Sequence, residues 1–204
     1  MHTCSTSLGK LLVEYVPENA LEYCIALWSE QPFTFKVSNN RISKLGDYKF
    51  DPRVGEHAIS VNGGLNQYAF LVTFLHEFAH LLVQIRFNSR QRPHGQEWKN
   101  CFNEVMAPVL QNDVFPSPLK EVLAKHMENP RASSGSDPEL YAALKVHDDV
   151  SGVNMLMDLP NGVEFVFKNR VFQKVKHKRT RVLCNEVGSG RQYLIPAIVE
   201  IDIQ

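Results

Sequence analysis

Two histidines and a glutamate occupy one short stretch of the chain, His76-Glu77-Phe78-Ala79-His80. On a helix, this spacing places both imidazoles one turn apart on one face, with the carboxylate beside them. Two neutral imidazoles and a third ligand can hold Zn²⁺ while one position stays open to a water, whose pKa the ion lowers to about 7. The pattern therefore predicts metal-assisted hydrolysis, with Glu77 taking the proton of the water.

The residues around this motif favour a buried helix. Between Gln67 and Arg86 there is no Gly or Pro, and apolar residues recur at spacings of three and four. Turn-forming residues lie on either side, at 62–64 and 88–89. Because unpaired polar groups are costly inside a core, the two histidines and the glutamate favour a bound metal over a chance match.

The third ligand does not follow from the first pair. The longer pattern H-E-x-x-H-x-x-G-x-x-H is excluded, because Val83 and Arg86 occupy its Gly and His positions. Another class of zinc hydrolase takes a glutamate from the helix that follows, and Glu97 and Glu104 are both available for that role. Glu104 is the alternative that we retain.

A histidine is the other candidate for the third ligand. The segment Pro93-His94-Gly95 directly precedes a helical pattern that contains Trp98. Turn residues at a helix start hold the backbone, so His94 can be aimed at a metal on the neighbouring helix. Glu97 and Glu104 could instead lie on the solvent side of the second helix.

The two motifs together resemble the SprT-like family of zinc metallopeptidases, which includes bacterial SprT and eukaryotic Spartan. The resemblance rests on His76-Glu77-Phe78-Ala79-His80 followed by His94-Gly-x-x-Trp98. Upstream, the segment from Ile59 to Asn66 is similar to the strand and turn that lead to the active-site helix of the family. The similarity covers roughly residues 8–112.

This resemblance implies a zinc-dependent metallopeptidase of the α+β class, with a zincin-like helical domain and a short sheet. It implies one bound Zn²⁺ and a protein or peptide substrate. The zinc ligands it implies are His76, His80 and His94, and Glu77 is the implied catalytic glutamate. Eukaryotic members of the family cleave proteins crosslinked to DNA, whereas most bacterial members are presumed peptidases of unknown substrate.

Two parts of a peptidase site are not determined by the motifs. The donor that stabilises the oxyanion could be Tyr68, Arg53 or Asn66. An extended substrate backbone would pair with an edge strand beside the active-site helix, and we predict that the strand His57–Val61 is that edge.

Turn and breaker residues divide the sequence into three parts. Residues 1–115 are predicted to form the metallopeptidase domain, with a first helix, three strand-like segments and the two helices of the motifs. Residues 116–160 read as a connector with short helices. Residues 161–204 alternate apolar and polar residues between turns, which predicts a small antiparallel β module.

The cysteines argue against a second zinc site. Bacterial SprT proteins commonly end in a zinc ribbon, and the tail of this chain resembles that module while keeping only Cys184. The other three, Cys4, Cys24 and Cys101, are scattered and form no C-x-x-C pair. The β module is therefore expected to be held by its apolar alternation, without a second metal.

The C-terminal part is basic although 22 cations balance 22 acids overall. No acid lies between Glu164 and Glu186, where the cations are Lys168, Arg170, Lys174, Lys176, Lys178, Arg179 and Arg181. Such a stretch can neutralise phosphates, which makes DNA a further expected partner. Nearby phenylalanines at 165, 167 and 172 could stack on bases, although strand aromatics usually pack in a core.

The basic tail supports an alternative function, that of a nucleic-acid-associated binding protein in which the zinc site is structural or vestigial.

The first ten residues do not combine a cationic stretch with an apolar run, and no window approaches eighteen uninterrupted apolar residues. We therefore expect a cytoplasmic protein without a membrane partner.

Overall fold

The computed structural model describes residues 9–38, 44–88, 91–132, 136–148, 154–178, 180–197 and 199–203. The fold is mixed α+β, as the sequence predicts, with buried side chains in two separate clusters. The first cluster runs from Leu12 to Leu144, and the second runs from Leu156 to Ile201. The domain boundaries at 115 and 160 remain predictions. The first cluster ends at Leu144 and the second begins at Leu156, which is close to the predicted boundary at 160.

The N-terminal part contains a helix and a three-stranded sheet. Helix α1 spans Glu18–Glu30, and the strands are β1 (Thr34–Ser38), β2 (Gly46–Asp51) and β3 (Glu56–Asn62). Strand β3 pairs in parallel with β1 and antiparallel with β2. The prediction that His57–Val61 is an edge strand is therefore wrong: β3 is central, because its backbone groups pair on both sides.

Helix α2, Gln67–Phe87, carries the H-E-x-x-H motif through the middle of the first core. The side chain of Asn66 caps its start by accepting hydrogen bonds from the backbone N–H groups of Tyr68 and Ala69. Asn88 ends it in the left-handed conformation, with φ 54°. Because both ends are capped and apolar residues flank the motif, α2 can hold polar groups at fixed positions inside the core.

Helix α2 also meets the length and composition test for a membrane span, with a mean hydropathy of 1.4 in its 18-residue window. Within the fold, 67% of that window is buried against other parts of the protein, chiefly the helix α3 (Gln96–Gln111) and strands β2 and β3. Its apolar character is thus accounted for by core packing.

Two shorter helices complete the first core. They are α4 (Ser117–Glu128) and α5 (Pro138–Lys145), and both bury leucines in the same cluster as α2. The amide of Asn66 donates to the carbonyl oxygen of Leu144 at 2.9 Å, which ties the end of α5 to the start of α2. The part of the predicted connector that holds α4 and α5 therefore packs on the same core as α2.

The C-terminal part forms a six-stranded antiparallel sheet with its own core, as predicted. Its strands are β4 (Asn154–Met155), β5 (Glu164–Phe167), β6 (Arg170–Lys178), β7 (Arg181–Glu186), β8 (Gln192–Pro196) and β9 (Glu200–Ile203). The spatial order is β4-β9-β5-β6-β7-β8. Phe165 and Phe172 face each other across β5 and β6 and are buried in this core.

One cation lies inside the β module. Lys174 on β6 is 4% exposed, and its ammonium donates to the carbonyl oxygens of Leu156, Met157 and Leu159 at 3.1, 2.9 and 2.5 Å. All three N–H donors of a lysine are thereby satisfied, which offsets the cost of burial. Lys174, predicted among the cations available to a polyanion, instead fastens the turn after β4 to the sheet.

Candidate metal centre

Three histidine rings converge beside α2. The Nε2 atom of His94 lies 3.1 Å from Nε2 of His76 and 3.0 Å from Nε2 of His80. In the described part of the chain, the group of His, Cys, Asp or Glu side chains that could hold a metal ion consists of these three residues, with ligand atoms within 4.8 Å of one another. Nitrogens on a tetrahedral zinc lie about 3.3 Å apart, given Zn–N bonds of about 2.0–2.1 Å. The donor set and its spacing fit zinc.

The third histidine is aimed by an unusual backbone turn. His94 has a φ of 56°, in the left-handed region that non-glycine residues rarely adopt. The N–H of Gly95 donates to the carbonyl oxygen of Arg92 at 2.8 Å, and a Cβ on Gly95 would lie 2.9 Å from that oxygen. Glycine is needed there because the turn closes so tightly, and α3 begins directly after it.

Trp98 forms the floor of the site. Its side chain is 1% exposed, and its ring centroid lies 4.6 Å from that of His76, 4.7 Å from His94 and 5.6 Å from His80. Phe102 stacks on Trp98, with the two ring centroids 4.9 Å apart. The sequence placed Trp98 in a helical pattern and in the His94-Gly-x-x-Trp98 motif, but its contact with all three imidazoles was not predicted.

Burial holds the imidazoles neutral. The pKa of His76 lies well below its usual value because of desolvation, with smaller contributions from His80, His94 and His126. Desolvation and the neighbouring His94 lower the pKa of His80 to about 4, and desolvation also lowers the pKa of His94. At neutral pH all three rings therefore keep a lone pair for a metal ion, and protons do not compete with it.

Glu77 is buried on α2 and packs directly against the start of β2. A Cβ built on Gly46 would lie 2.7 Å from Oε1 of Glu77 and 2.7 Å from Cγ2 of Thr73. Such distances are well below van der Waals contact, so only glycine lets the strand pass this close. In the described ranges β2 pairs on one side only, with β3, so the edge beside the glutamate is β2.

Glu104, the retained alternative, has a different partner. Both of its carboxylate oxygens accept from the guanidinium of Arg86, at 2.6 and 2.7 Å, at the surface between α2 and α3. This fork lowers the pKa of Glu104 and leaves its oxygens directed at Arg86. Glu97 lies beside the tight turn, where one of its oxygens would be 3.3 Å from a Cβ on Gly95. The geometry thus favours His94 as the third ligand.

The three oxyanion candidates are engaged elsewhere. Arg53 is exposed and paired with Asp51 at 2.7 Å. Asn66 caps α2, and Tyr68 packs against Phe115. Both lie at the start of α2, more than two turns before His76, which is about 12 Å or more along the helix axis. The prediction that one of these residues stabilises an oxyanion is not supported by their positions.

A family model agrees with this geometry. The model of the SprT-like family matches residues 18–118, about half of the chain. The chain belongs to the SprT-like family. The matched residues include α1, the first sheet, α2, α3 and all three converging histidines of the SprT-like domain. No curated protein and no solved structure matches the chain.

Replacement of His94 tests the ligand set of the SprT-like domain. Because His94 supplies one of three nitrogens, His94→Ala should weaken zinc binding by about 100-fold or more. The matched variant, Glu104→Ala, should keep the zinc, since it removes only the ion pair with Arg86. Zinc per chain, measured after dialysis against a weak chelator, separates the two variants. Loss of zinc in Glu104→Ala alone would make Glu104 the ligand.

Replacement of Gly46 tests the contact between β2 and Glu77. Gly46→Val should lower the free energy of unfolding by about 1–3 kcal/mol, because Glu77 or the strand must move to admit the side chain. Gly64→Val is the control, since a Cβ there meets only Asn62 Oδ1, at 3.6 Å. Chemical denaturation of both variants measures the difference. Equal stability of the two variants would contradict this packing.

Proposed function

We propose that the protein is a zinc-dependent metallopeptidase that hydrolyses protein or peptide substrates. The observation that carries this proposal is the convergence of three neutral imidazoles beside a buried glutamate within a SprT-like domain. When bound, Zn²⁺ polarises the scissile carbonyl and lowers the pKa of the attacking water. His76, His80 and His94 hold the ion in place.

Glu77 serves as the general base in this proposal. It follows His76 directly on α2, so its carboxylate is fixed relative to the ligands by the helix backbone and by the contact with β2. Glu77 accepts the proton of the water and later donates it to the leaving amine. Glu77 is 8% exposed, so little bulk water reaches its side chain.

The number of ligands supports catalysis over a structural or vestigial role. Structural zinc sites in proteins are usually closed by four protein ligands, whereas catalytic sites leave one position for water. Within the residues that the structure describes, the candidate group contains three donors. The alternative of a purely structural zinc would require a fourth donor beside His76, His80 and His94.

The edge strand suggests how a substrate backbone is held. Strand β2 lies at the sheet edge and touches Glu77 through Gly46. An extended peptide that adds to β2 as a further strand would lie next to the strand that contacts Glu77. In this proposal β2 takes the role that the sequence assigned to β3.

DNA association is a second, separable proposal. Burial removes Lys174 from the basic stretch, and Arg170 pairs with Glu186 at 2.6 Å. Of the exposed cations that remain in the described ranges, Lys176, Lys178 and Arg181 lie where β6 meets β7, and Lys168 lies in the turn between β5 and β6. Phe165 and Phe172 are core residues and cannot stack on bases, and the half-buried ring of Phe167 is covered by the ammonium of Lys168, so we expect contacts with phosphates.

The cellular compartment stays a prediction. The described residues contain one helix that is apolar enough for a membrane span, and it is a core helix of the first cluster. This is compatible with the cytoplasmic location expected from the sequence, but it identifies no compartment.

Replacement of Glu77 tests the peptidase proposal. Glu77→Gln removes a base and no ligand, so hydrolysis of an unfolded protein should fall by about 100- to 10,000-fold while the zinc content is unchanged. Proteolysis assays with and without a chelator, paired with metal analysis, measure both quantities. Glu104→Gln is the matched control and should keep its activity. Undiminished hydrolysis by Glu77→Gln would refute the mechanism.

Replacement of the hairpin cations tests the DNA proposal. The double variant Lys176→Gln, Lys178→Gln should bind single-stranded DNA more weakly, and the slope of log K against log salt should fall by about one for each phosphate that the protein no longer neutralises. Fluorescence anisotropy at several salt concentrations gives the slope. Lys36→Gln on β1 is the control. Binding that is independent of salt in the unmodified protein would remove this proposal.

A further inference from the structure

A cavity of about 550 Å³ borders the candidate metal centre on the side of His94. It lies between the His94 turn, the start of α3, and residues 129–132 and 136, which follow α4. Its polar lining consists of His94, Lys99, Asn129, Arg131 and Ser136. Because His94 belongs both to this lining and to the cluster of imidazoles, whatever occupies the cavity lies next to the metal site. A cavity of this volume is in the range that binds ligands.

Two cations in the lining are held in place by neutral oxygens. The ammonium of Lys99 donates to Oδ1 of Asn129 at 2.5 Å, and the guanidinium of Arg131 donates to the carbonyl oxygen of Ser136 at 2.5 Å. Each of these bonds uses one N–H, while a lysine offers three and an arginine five. Within the described ranges neither cation forms an ion pair with a carboxylate. Both cations therefore keep N–H groups that these bonds do not use.

The acids near the cavity are directed elsewhere. Asp137 lies close enough to Arg131 for the guanidinium to help lower its pKa. Its Oδ2, however, is 2.8 Å from Nδ1 of the buried His126, and its Oδ1 accepts from the N–H of Leu140. Glu97 lies over Gly95 and is not part of the lining. The described residues therefore supply no carboxylate of their own to the space between the two cations.

We propose that this cavity is a substrate subsite that binds the side chain of an aspartate or glutamate adjacent to the scissile bond. Lys99 and Arg131 donate charge-assisted hydrogen bonds to the carboxylate, and the guanidinium can bind it through two parallel N–H groups. The inference rests on the proposed peptidase function, because His94 links the subsite to the zinc. It adds a substrate preference that the H-E-x-x-H motif does not contain.

Cleavage-site profiling tests the preference. The zinc-loaded full chain is incubated with a pool of N-acetylated, C-amidated peptides with randomised internal positions, and the products are sequenced by mass spectrometry. Aspartate and glutamate should be enriched at one fixed position beside the cleaved bond. Peptides with an acid at that position should have a kcat/KM about tenfold above that of the matched Asn or Gln peptides, as one charge-assisted contact allows.

Charge changes in the lining assign the preference to the two cations. The double variant Lys99→Gln, Arg131→Gln should lose the discrimination between acid and amide peptides, because no cation remains in the lining to bind the carboxylate. Lys99→Glu, Arg131→Glu should reverse the preference toward lysine and arginine. Lys36→Gln on β1, outside the cavity, should change nothing. An acidic preference that survives in both double variants would overturn the proposal.

A binding measurement separates this inference from the peptidase proposal. Zinc-loaded Glu77→Gln should bind a fluorescent acidic peptide about tenfold more tightly than its amide counterpart, and this difference should vanish when Lys99 and Arg131 are also replaced. This result stands whether or not the unmodified protein turns over any substrate. Equal affinities for the two peptides would refute the subsite, as would a dependence on Lys99 and Arg131 found only for single-stranded DNA.

Discussion

Two of the three imidazoles share one turn of α2, whereas the third must reach the same point from a separate segment of the chain. The first condition is local, because H-E-x-x-H spacing on a helix aligns His76 and His80 without help. The second depends on the left-handed backbone at His94 and on the close approach at Gly95, both of which cost conformational freedom. Trp98 is buried and packs against all three rings, and this contact helps to hold the turn. The aromatic rings of Trp98 and Phe102 thus support the three histidines from below.

Close packing also positions Glu77. Its side chain lies between α2 and the edge strand β2, and Gly46 has no side chain that would keep the helix and the strand apart. Direct contact with β2 therefore fixes Glu77, which follows His76 on the same helix. Proteins commonly build such sites on rigid elements because small displacements of a catalytic group cost much of its effect.

The candidate site was largely predictable from the sequence, since its essential spacing is local. His76, Glu77 and His80 follow from a five-residue pattern, and the Pro93-His94-Gly95 turn indicated the third ring. What could not be predicted depends on tertiary contacts. The pairing of β3 on both sides requires knowledge of β1, and the choice between His94 and Glu104 depends on Arg86, which lies on a neighbouring helix. Composition likewise showed that Lys174 is a cation, but not that it is buried.

The buried Lys174 stabilises the C-terminal sheet without a metal ion. The cation inside the C-terminal sheet is a side chain of the protein, not a bound ion, and its ammonium donates to three carbonyl oxygens. Cys184, opposite Lys174 on β7, is buried, and desolvation raises the pKa of its thiol to about 11, so it is a poor nucleophile and a poor metal ligand. In the proposed zinc enzyme, loss of the ion would therefore affect the imidazole cluster and leave the fold of the C-terminal sheet unchanged.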